Sequence, residues 1–276
     1  MCLIALSYQQ QKGFPLVLLA NRDELHQRET SRLAFWPDAP EILGGKDLEA
    51  GGSWLAINRN GRFAVLTNLR RPGQTKGPRS RGLIIKDYLT SNLSTEAFVE
   101  QLSNDRALYS GFNIVLGDFS TDCQLWYLSS ETTPRELAPG NYAISNEVLG
   151  DNWPKTEKLK QGMVESLSQE LNEKALMALL ENRQQAEKSQ LPNTGVGEEM
   201  EQLLSPIFIA NGIYGTRCST YLAINHKGFL RMREHSWDVQ QQLSDNRSVE
   251  FLINAEDDSF LCSDALQNNL DCCSID

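Results

Sequence analysis

The triplet Arg59-Asn60-Gly61, set between the apolar runs 53–58 and 62–67, is the tightest local constraint in the chain. Asn-Gly accepts the positive φ angles of a turn whose twist matches two antiparallel strands, so these residues predict a β-hairpin. A second hairpin is expected ahead of it, from runs 3–6 and 15–20 about the polar turn 9–13. Four strands are therefore expected before the first helix. Helical composition follows at 81–88 and 94–102, where Ser94 is placed as an N-cap, Glu96 lies in the first turn, and Phe98 and Leu102 share an apolar face.

Strands are expected to resume at 113–116, 124–128 and 142–144. From Pro154 to about Arg183 the spacing of Leu159, Met163, Leu167 and Leu171 predicts a helical region, with Pro154 at a tolerated first-turn position. Pro192, Asn193, Gly195 and Gly197 make 191–201 a plain loop rather than a lid. Strands at 220–225, 229–234 and 248–253 complete the pattern. Hairpin-linked strands with helices in blocks predict an α+β layered fold rather than alternating βαβ units. The reading is one domain over 1–276, with a helical lobe at about 154–187 and a flexible acidic tail at about 255–276.

A formal charge of −10 argues against a general nucleic-acid binder, since phosphate binding needs clustered cations. One basic stretch, 70–81, is either a solvated loop, given its Pro and Gly content, or a seat for an anionic group. The cysteines, Cys2, Cys123, Cys218, Cys262, Cys272 and Cys273, lack the paired spacing of a zinc site or the density of a disulfide scaffold. They read as reduced thiols, and with three histidines no metal centre is expected. The apolar stretch 14–20 contains Pro15 and is too short for a membrane span or an export signal. A soluble cytoplasmic protein, not an integral membrane one, is expected.

Two local features carry chemistry. Cys2 follows Met1 directly and is small enough to permit removal of Met1, which would leave one residue with both a thiol and a free α-amine. Such an amine titrates near 8 and can serve as base for the thiol. The bland alternative is a small buried residue opening a strand. The run Asn21-Arg22-Asp23-Glu24 closes the second apolar strand, where polar groups need partners or solvent. If the strand continues, Asn21 and Asp23 face one way and Arg22 and Glu24 the other. A local ion-pair network and a binding site are both open readings.

The same residues resemble the NRDE family, also called transport and Golgi organisation protein 2-like. The likeness rests on Met1-Cys2, Asn21-Arg22-Asp23-Glu24, Gly51-Gly52-Ser53-Trp54-Leu55, Leu66-Thr67-Asn68-Leu69-Arg70, Ser145-Asn146 with Trp153, and Tyr214-Gly215-Thr216-Arg217, and extends to roughly residue 255. That family in turn is similar to the cysteine branch of N-terminal-nucleophile hydrolases, the penicillin V acylases and conjugated bile-acid hydrolases. The resemblance implies a four-layer αββα sandwich with mainly antiparallel sheets. It implies Cys2 as nucleophile, Asp23 as the carboxylate that orients the new amine, and Asn146 as an oxyanion donor. Asn68 is a second oxyanion or substrate donor, or a strand-ending turn residue. Arg217 either lowers the thiol pKa, holds an anionic group, or makes a surface salt bridge.

The acylases separate their arginine and aspartate as Arg-x-x-Asp, whereas Arg22 and Asp23 are adjacent, so the acylase arginine role is not carried to Arg22. Arg22 would instead pair with Glu24 or bind a carboxylate or phosphate. Asn21, Arg22, Glu24, Arg70 and Trp54 form the expected substrate-binding set, while Trp54, Trp126 and Trp153 either line a pocket or fill the core. The leading expectation is hydrolysis of a small-molecule amide or thioester through an acyl-enzyme, which requires no cofactor. The alternative is a non-catalytic carrier of haem or acyl-CoA and lipid on the same fold, with Arg22 or Arg70 at the mouth of a long apolar groove or a flat apolar slot for haem.

Overall fold

The computed structural model describes residues 2–74, 76–120 and 123–255 together with the backbone of 261–262. Both expected hairpins form. The first joins β1 (Cys2–Gln11) to β2 (Phe14–Leu25) across a turn where Gly13 takes φ +86°. Two strands that the sequence reading passed over follow, β3 (Ala34–Trp36) and β4 (Ala39–Gly44), so six strands and not four precede the first helix. Pro37, Pro40 and the Gly44-Gly45 pair read as loop punctuation, yet both prolines sit where a short strand starts or turns. The Asn-Gly hairpin joins β5 (Leu55–Asn58) to β6 (Arg62–Asn68).

Helix α1 (Gly82–Thr90) and helix α2 (Thr95–Asp105) come next, α2 capped by Ser94, whose Oγ accepts from the Ala97 amide at 3.2 Å. Then come β7 (Phe112–Asp118), β8 (Gln124–Ser129), a two-residue β9 (Arg135–Glu136) and β10 (Gly140–Ile144). The expected helical region is two helices, α3 (Pro154–Leu167) and α4 (Glu173–Leu179), because Asn172 caps a new helix through the Ala175 amide. The expected plain loop at 191–201 contains the start of a short α5 (Glu198–Leu203). Strands β11 (Tyr214–Ile224), β12 (Phe229–Trp237), β13 (Leu243–Leu252) and β14 (Leu261–Cys262) end the described chain. The acidic tail assigned to 255–276, with Cys272 and Cys273, lies almost wholly outside the described residues.

The strands form two seven-stranded sheets, ordered β10-β1-β2-β11-β12-β13-β14 and β3-β4-β5-β6-β7-β8-β9, with antiparallel neighbours throughout. Period-two alternation assigns every layer. On β1 and β2, Ile4, Leu6, Leu16 and Leu18 pack between the sheets against Leu55, Phe63 and Val115. Leu3, Ala5, Val17 and Leu19 face the other way, onto Leu159 and Met163 of α3 and Leu176 of α4. Beneath the second sheet, Ala64 and Ile114 meet Ile85 and Tyr88 of α1 and Phe98 of α2. The order is helices, sheet, sheet, helices: the expected αββα sandwich.

Candidate active site

Cys2 opens β1 opposite Arg22 of β2, and Arg22 lies opposite Cys218 of β11 on its other side. Cross-strand partners share a face, so the three form a row on the inter-sheet side. Here an open cleft of about 410 Å³ is lined by Cys2, Arg22, Trp54, Asn68, Arg81 and their neighbours. Burial pushes the Cys2 thiol pKa up, the Asp23 charge adds to that rise, and the Arg22 charge opposes it. A thiol held in its neutral form needs a nearby base before it can attack.

The polar run sits on a continuing strand, and its alternation separates two environments. Asn21 turns to the helical layer, where its Nδ2 donates to the carbonyls of Leu180 (2.8 Å) and Ile207 (2.9 Å) and its Oδ1 accepts from Ser219 Oγ (2.7 Å). Asp23 Oδ1 accepts from Thr216 Oγ1 at 2.8 Å, and the Tyr214 hydroxyl donates to the Asp23 carbonyl at 2.9 Å. Burial pushes the Asp23 carboxyl pKa up, opposed chiefly by the charge of Lys155. Lys155, 3% exposed, donates to the Leu204 carbonyl at 3.0 Å, and burial lowers its pKa to about 8 against the pull of Asp23.

On the other face the Arg22 guanidinium lies 4.4 Å over the Trp54 ring, with Nη2 3.6 Å from Asp47 Oδ2. Its Nη1 is buried without a hydrogen-bond partner among the described residues. Glu24 lines the cleft and accepts from the Leu25 amide at 2.9 Å. Asp47 is held by Arg28 at 2.7 Å and caps its own turn through the amides of Glu49 and Ala50.

Two asparagines meet beside Cys2. Pairing of β10 with β1 ends at Ile144 opposite Ile4, which carries Ser145 and Asn146 on toward Cys2. Ser145 Oγ donates to the Cys2 carbonyl at 3.3 Å. Asn146 Nδ2 donates to the Asn68 carbonyl at 2.9 Å, and the Arg70 amide returns a bond to the Asn146 carbonyl at 2.8 Å. This reciprocal clasp puts Asn68 on the cleft wall and the fully buried Asn146 against its backbone.

Cys2, Arg22, Asp23, Glu24, Trp54 and Asn68 thus line one cleft, with Asn146 adjoining it. Asn21, Arg70 and Arg217 do not line it, Asn21 because the strand alternation turns it to the helical layer. The Arg70 guanidinium pairs with buried Glu201 and lies 4.9 Å over Trp153, and Trp126 packs against the helix-facing core of the second sheet. Arg217 occupies a β-bulge between Thr216 and Cys218 and donates through Nη1 to the carbonyls of Leu25 (2.9 Å), His26 (3.0 Å) and Arg28 (3.2 Å). It clamps the turn after β2.

Arg28, Asp47, Arg81 and Lys155 belong to the site without having been singled out. The basic composition of 70–81 signalled Arg81, and a lysine in the first turn of a helix, against the helix dipole, was a signal for Lys155. Among the described residues no group of three His, Cys, Asp or Glu is placed to hold a metal ion, and no helix is long and apolar enough to cross a membrane.

The sandwich is similar to two crystal structures of conjugated bile acid hydrolase from Clostridium perfringens. One has a TM-score of 0.54 and 9% identity, covering 98% of this chain and 100% of the other. The second has a TM-score of 0.50 and 8% identity, covering 96% and 99%. At such identity the likeness establishes the N-terminal-nucleophile hydrolase type of fold. Sequence relatives are much nearer. The Transport and Golgi organization 2 homolog of Mus musculus is 32% identical over 274 residues, 92% of this chain and 99% of the relative. The Homo sapiens homolog is 32% identical over 275 residues with the same coverage, and the Drosophila melanogaster protein 29% identical over 269 residues, 86% and 92%. A family model described as Transport and Golgi organisation 2 matches residues 1–239, so the chain belongs to that family.

Proposed function

We propose that the protein is an N-terminal cysteine hydrolase that cleaves a small-molecule amide or thioester through an acyl-enzyme. The observation that carries this reading is that Cys2, Asp23 and Asn68 line one cleft large enough for a small molecule, with Asn146 bonded to the Asn68 backbone behind it. Removal of Met1 frees the Cys2 α-amine. That amine takes the thiol proton, the step that a thiol raised by burial requires. The thiolate sulfur attacks the substrate carbonyl carbon, and the C=O electron pair moves onto oxygen. Side-chain N–H groups of Asn68 and Asn146 stabilise that charge, a contribution of about 10² to 10³ in rate. Collapse expels the amine or thiol, which takes its proton from the α-ammonium. Water, deprotonated by the same amine, then releases the acid.

Asp23 is the positioning group for the ammonium, itself held by Thr216, with the Lys155 charge opposing the rise that burial imposes on its carboxyl. The test is a panel of chromogenic amides and thioesters with intact-mass detection of a quenched acyl adduct. Turnover together with an adduct on Cys2, both lost in Cys2→Ala, supports the proposal. Turnover that survives Cys2→Ala refutes it, and an unacylated Cys2 across the panel turns attention to haem or acyl-CoA binding without chemistry.

A further inference from the structure

The cleft is electrically unlike the rest of the molecule. Arg22, Arg28, Lys76, Arg79 and Arg81 line it against three carboxylates, Asp23, Glu24 and Asp47, in a chain of formal charge −10. Some of these cations are already engaged. Arg28 bonds Asp47 and faces Glu49, and Arg79 bonds Asp87 at the surface. Arg22 and Arg81 differ from them. The Arg22 side chain is 5% exposed, yet its Nη1 has no acceptor among the described residues, an arrangement that costs free energy unless a ligand supplies one. Arg81 gives one N–H to the Gly111 carbonyl at 3.0 Å and has no acidic partner among the described residues.

Arg81 also leads into the nine-residue α1, whose first residue, Gly82, lines the same cleft and whose first turn has no acidic side chain. The helix start is seated there by backbone contact. A Cβ on Gly52 would meet the Gly82 carbonyl carbon at 2.2 Å, and one on Gly82 would meet the Ser53 oxygen at 2.9 Å. The two glycines let the N-terminal end of the helix press against the 51–55 segment beside the cavity, where the Leu83 and Ile84 amides are already bonded to the Ser80 and Arg81 carbonyls.

We propose that this cleft is an anion subsite in which the buried Arg22 Nη1 and the Arg81 guanidinium, at the start of α1, hold a carboxylate, sulfonate or phosphate of the substrate beside Cys2. The subsite deepens the hydrolase reading, on which it rests for the reacting carbonyl, and narrows the substrate to an anionic amide or thioester.

The experiment compares alkylation of Cys2 in the full-length protein by iodoacetate and iodoacetamide, with the rate ratio normalised to that of glutathione. Both reagents react with the thiolate, so thiol pKa cancels and the ratio reads charge at the cleft. Wild type is expected to favour iodoacetate by about tenfold relative to glutathione, the size of one charge-assisted hydrogen bond. Arg22→Gln and Arg81→Gln should each remove most of that preference, and Arg135→Gln, exposed on β9, should leave it unchanged. Protection by acetate, methanesulfonate or inorganic phosphate ranks the three anionic groups. A ratio equal to that of glutathione, or one that both cleft variants leave intact, overturns the subsite.

Should Cys2 resist both reagents, the readout is the rise in Tm with phosphate, methanesulfonate or acetate. A rise present in wild type and absent in both variants supports the subsite, and its absence or persistence overturns it. The two readings fail separately. A charge-selective Cys2 without turnover keeps the subsite and loses the hydrolase, while a charge-blind Cys2 that cleaves thioesters does the reverse.

Discussion

Residues 21–24 present two unlike faces. Toward the helices, Asn21 and Asp23 are hydrogen-bonded to groups 159 to 198 residues away in sequence, and Asn21 fixes the carbonyls of Leu180 and Ile207. Toward the cleft, Arg22 stacks on Trp54, pairs at 3.6 Å with Asp47, and keeps a buried N–H without an acceptor. One strand thus joins a helix-facing side anchored by Asn21 and the Asp23–Thr216 bond to a cleft-facing side where Arg22 keeps a buried N–H open, with Asp23 also reaching the cleft wall. The lesson is that a run of polar residues at a strand end need not act as a unit, because the pleat gives alternate members different work.

Substitutions that separate folding from reactivity would break or sharpen this contrast. The largest effect is expected for Asn21→Ala, which strands two buried carbonyls and the Ser219 hydroxyl and should cost about 3 to 5 kcal/mol in urea unfolding. A loss below about 1 kcal/mol would put Asn21 outside the structural face. Next is Lys155. Its folded pKa of about 8 lies below the ordinary 10.5, so between those values the unfolded chain holds the extra proton and stability rises with pH. Relative to Lys155→Met, wild type should gain about 1.4 kcal/mol per pH unit in that window and show no such slope at pH 6 to 7. A flat difference through pH 10 would contradict the buried charge.

Arg217→Met should cost about 1 to 2 kcal/mol by releasing the carbonyls of the turn after β2, with Cys2 reactivity little changed in the folded protein. The smallest stability effect belongs to Arg22→Gln, about 1 kcal/mol or less, since the ring contact and long ion pair it removes are offset by removal of the buried N–H without an acceptor. A cost for Arg22→Gln matching that of Asn21→Ala would erase the distinction between the faces.

Much of this was legible in the chain. The Asn-Gly turn and the alternating runs pointed to both hairpins, the blocks of strands and helices to an α+β layered fold, and the family resemblance to the αββα order. What failed was local in cause. Strands β3 and β4 are short and flanked by proline and glycine, so their signal equals that of a loop. Arg81 lay in a segment whose charge and turn residues look the same whether it faces water or folds over a cleft. For Arg217 the sequence offers a thiol partner, an anion holder or a surface salt bridge, but its three acceptors are backbone carbonyls, which leave no mark in a sequence. Asp47 and Lys155 act through partners distant in the chain, which single-sequence periodicity cannot register.

The measurement closest to the centre is intact-protein mass spectrometry before and after a small electrophilic thiol probe, with peptide mapping and a Cys2→Ala control. The expected result is a chain lacking Met1, labelled first at Cys2 rather than at the half-buried Cys123 or the buried Cys218. Retained Met1, or a Cys2 that stays unlabelled in the folded protein while other thiols react, would contradict an N-terminal nucleophile.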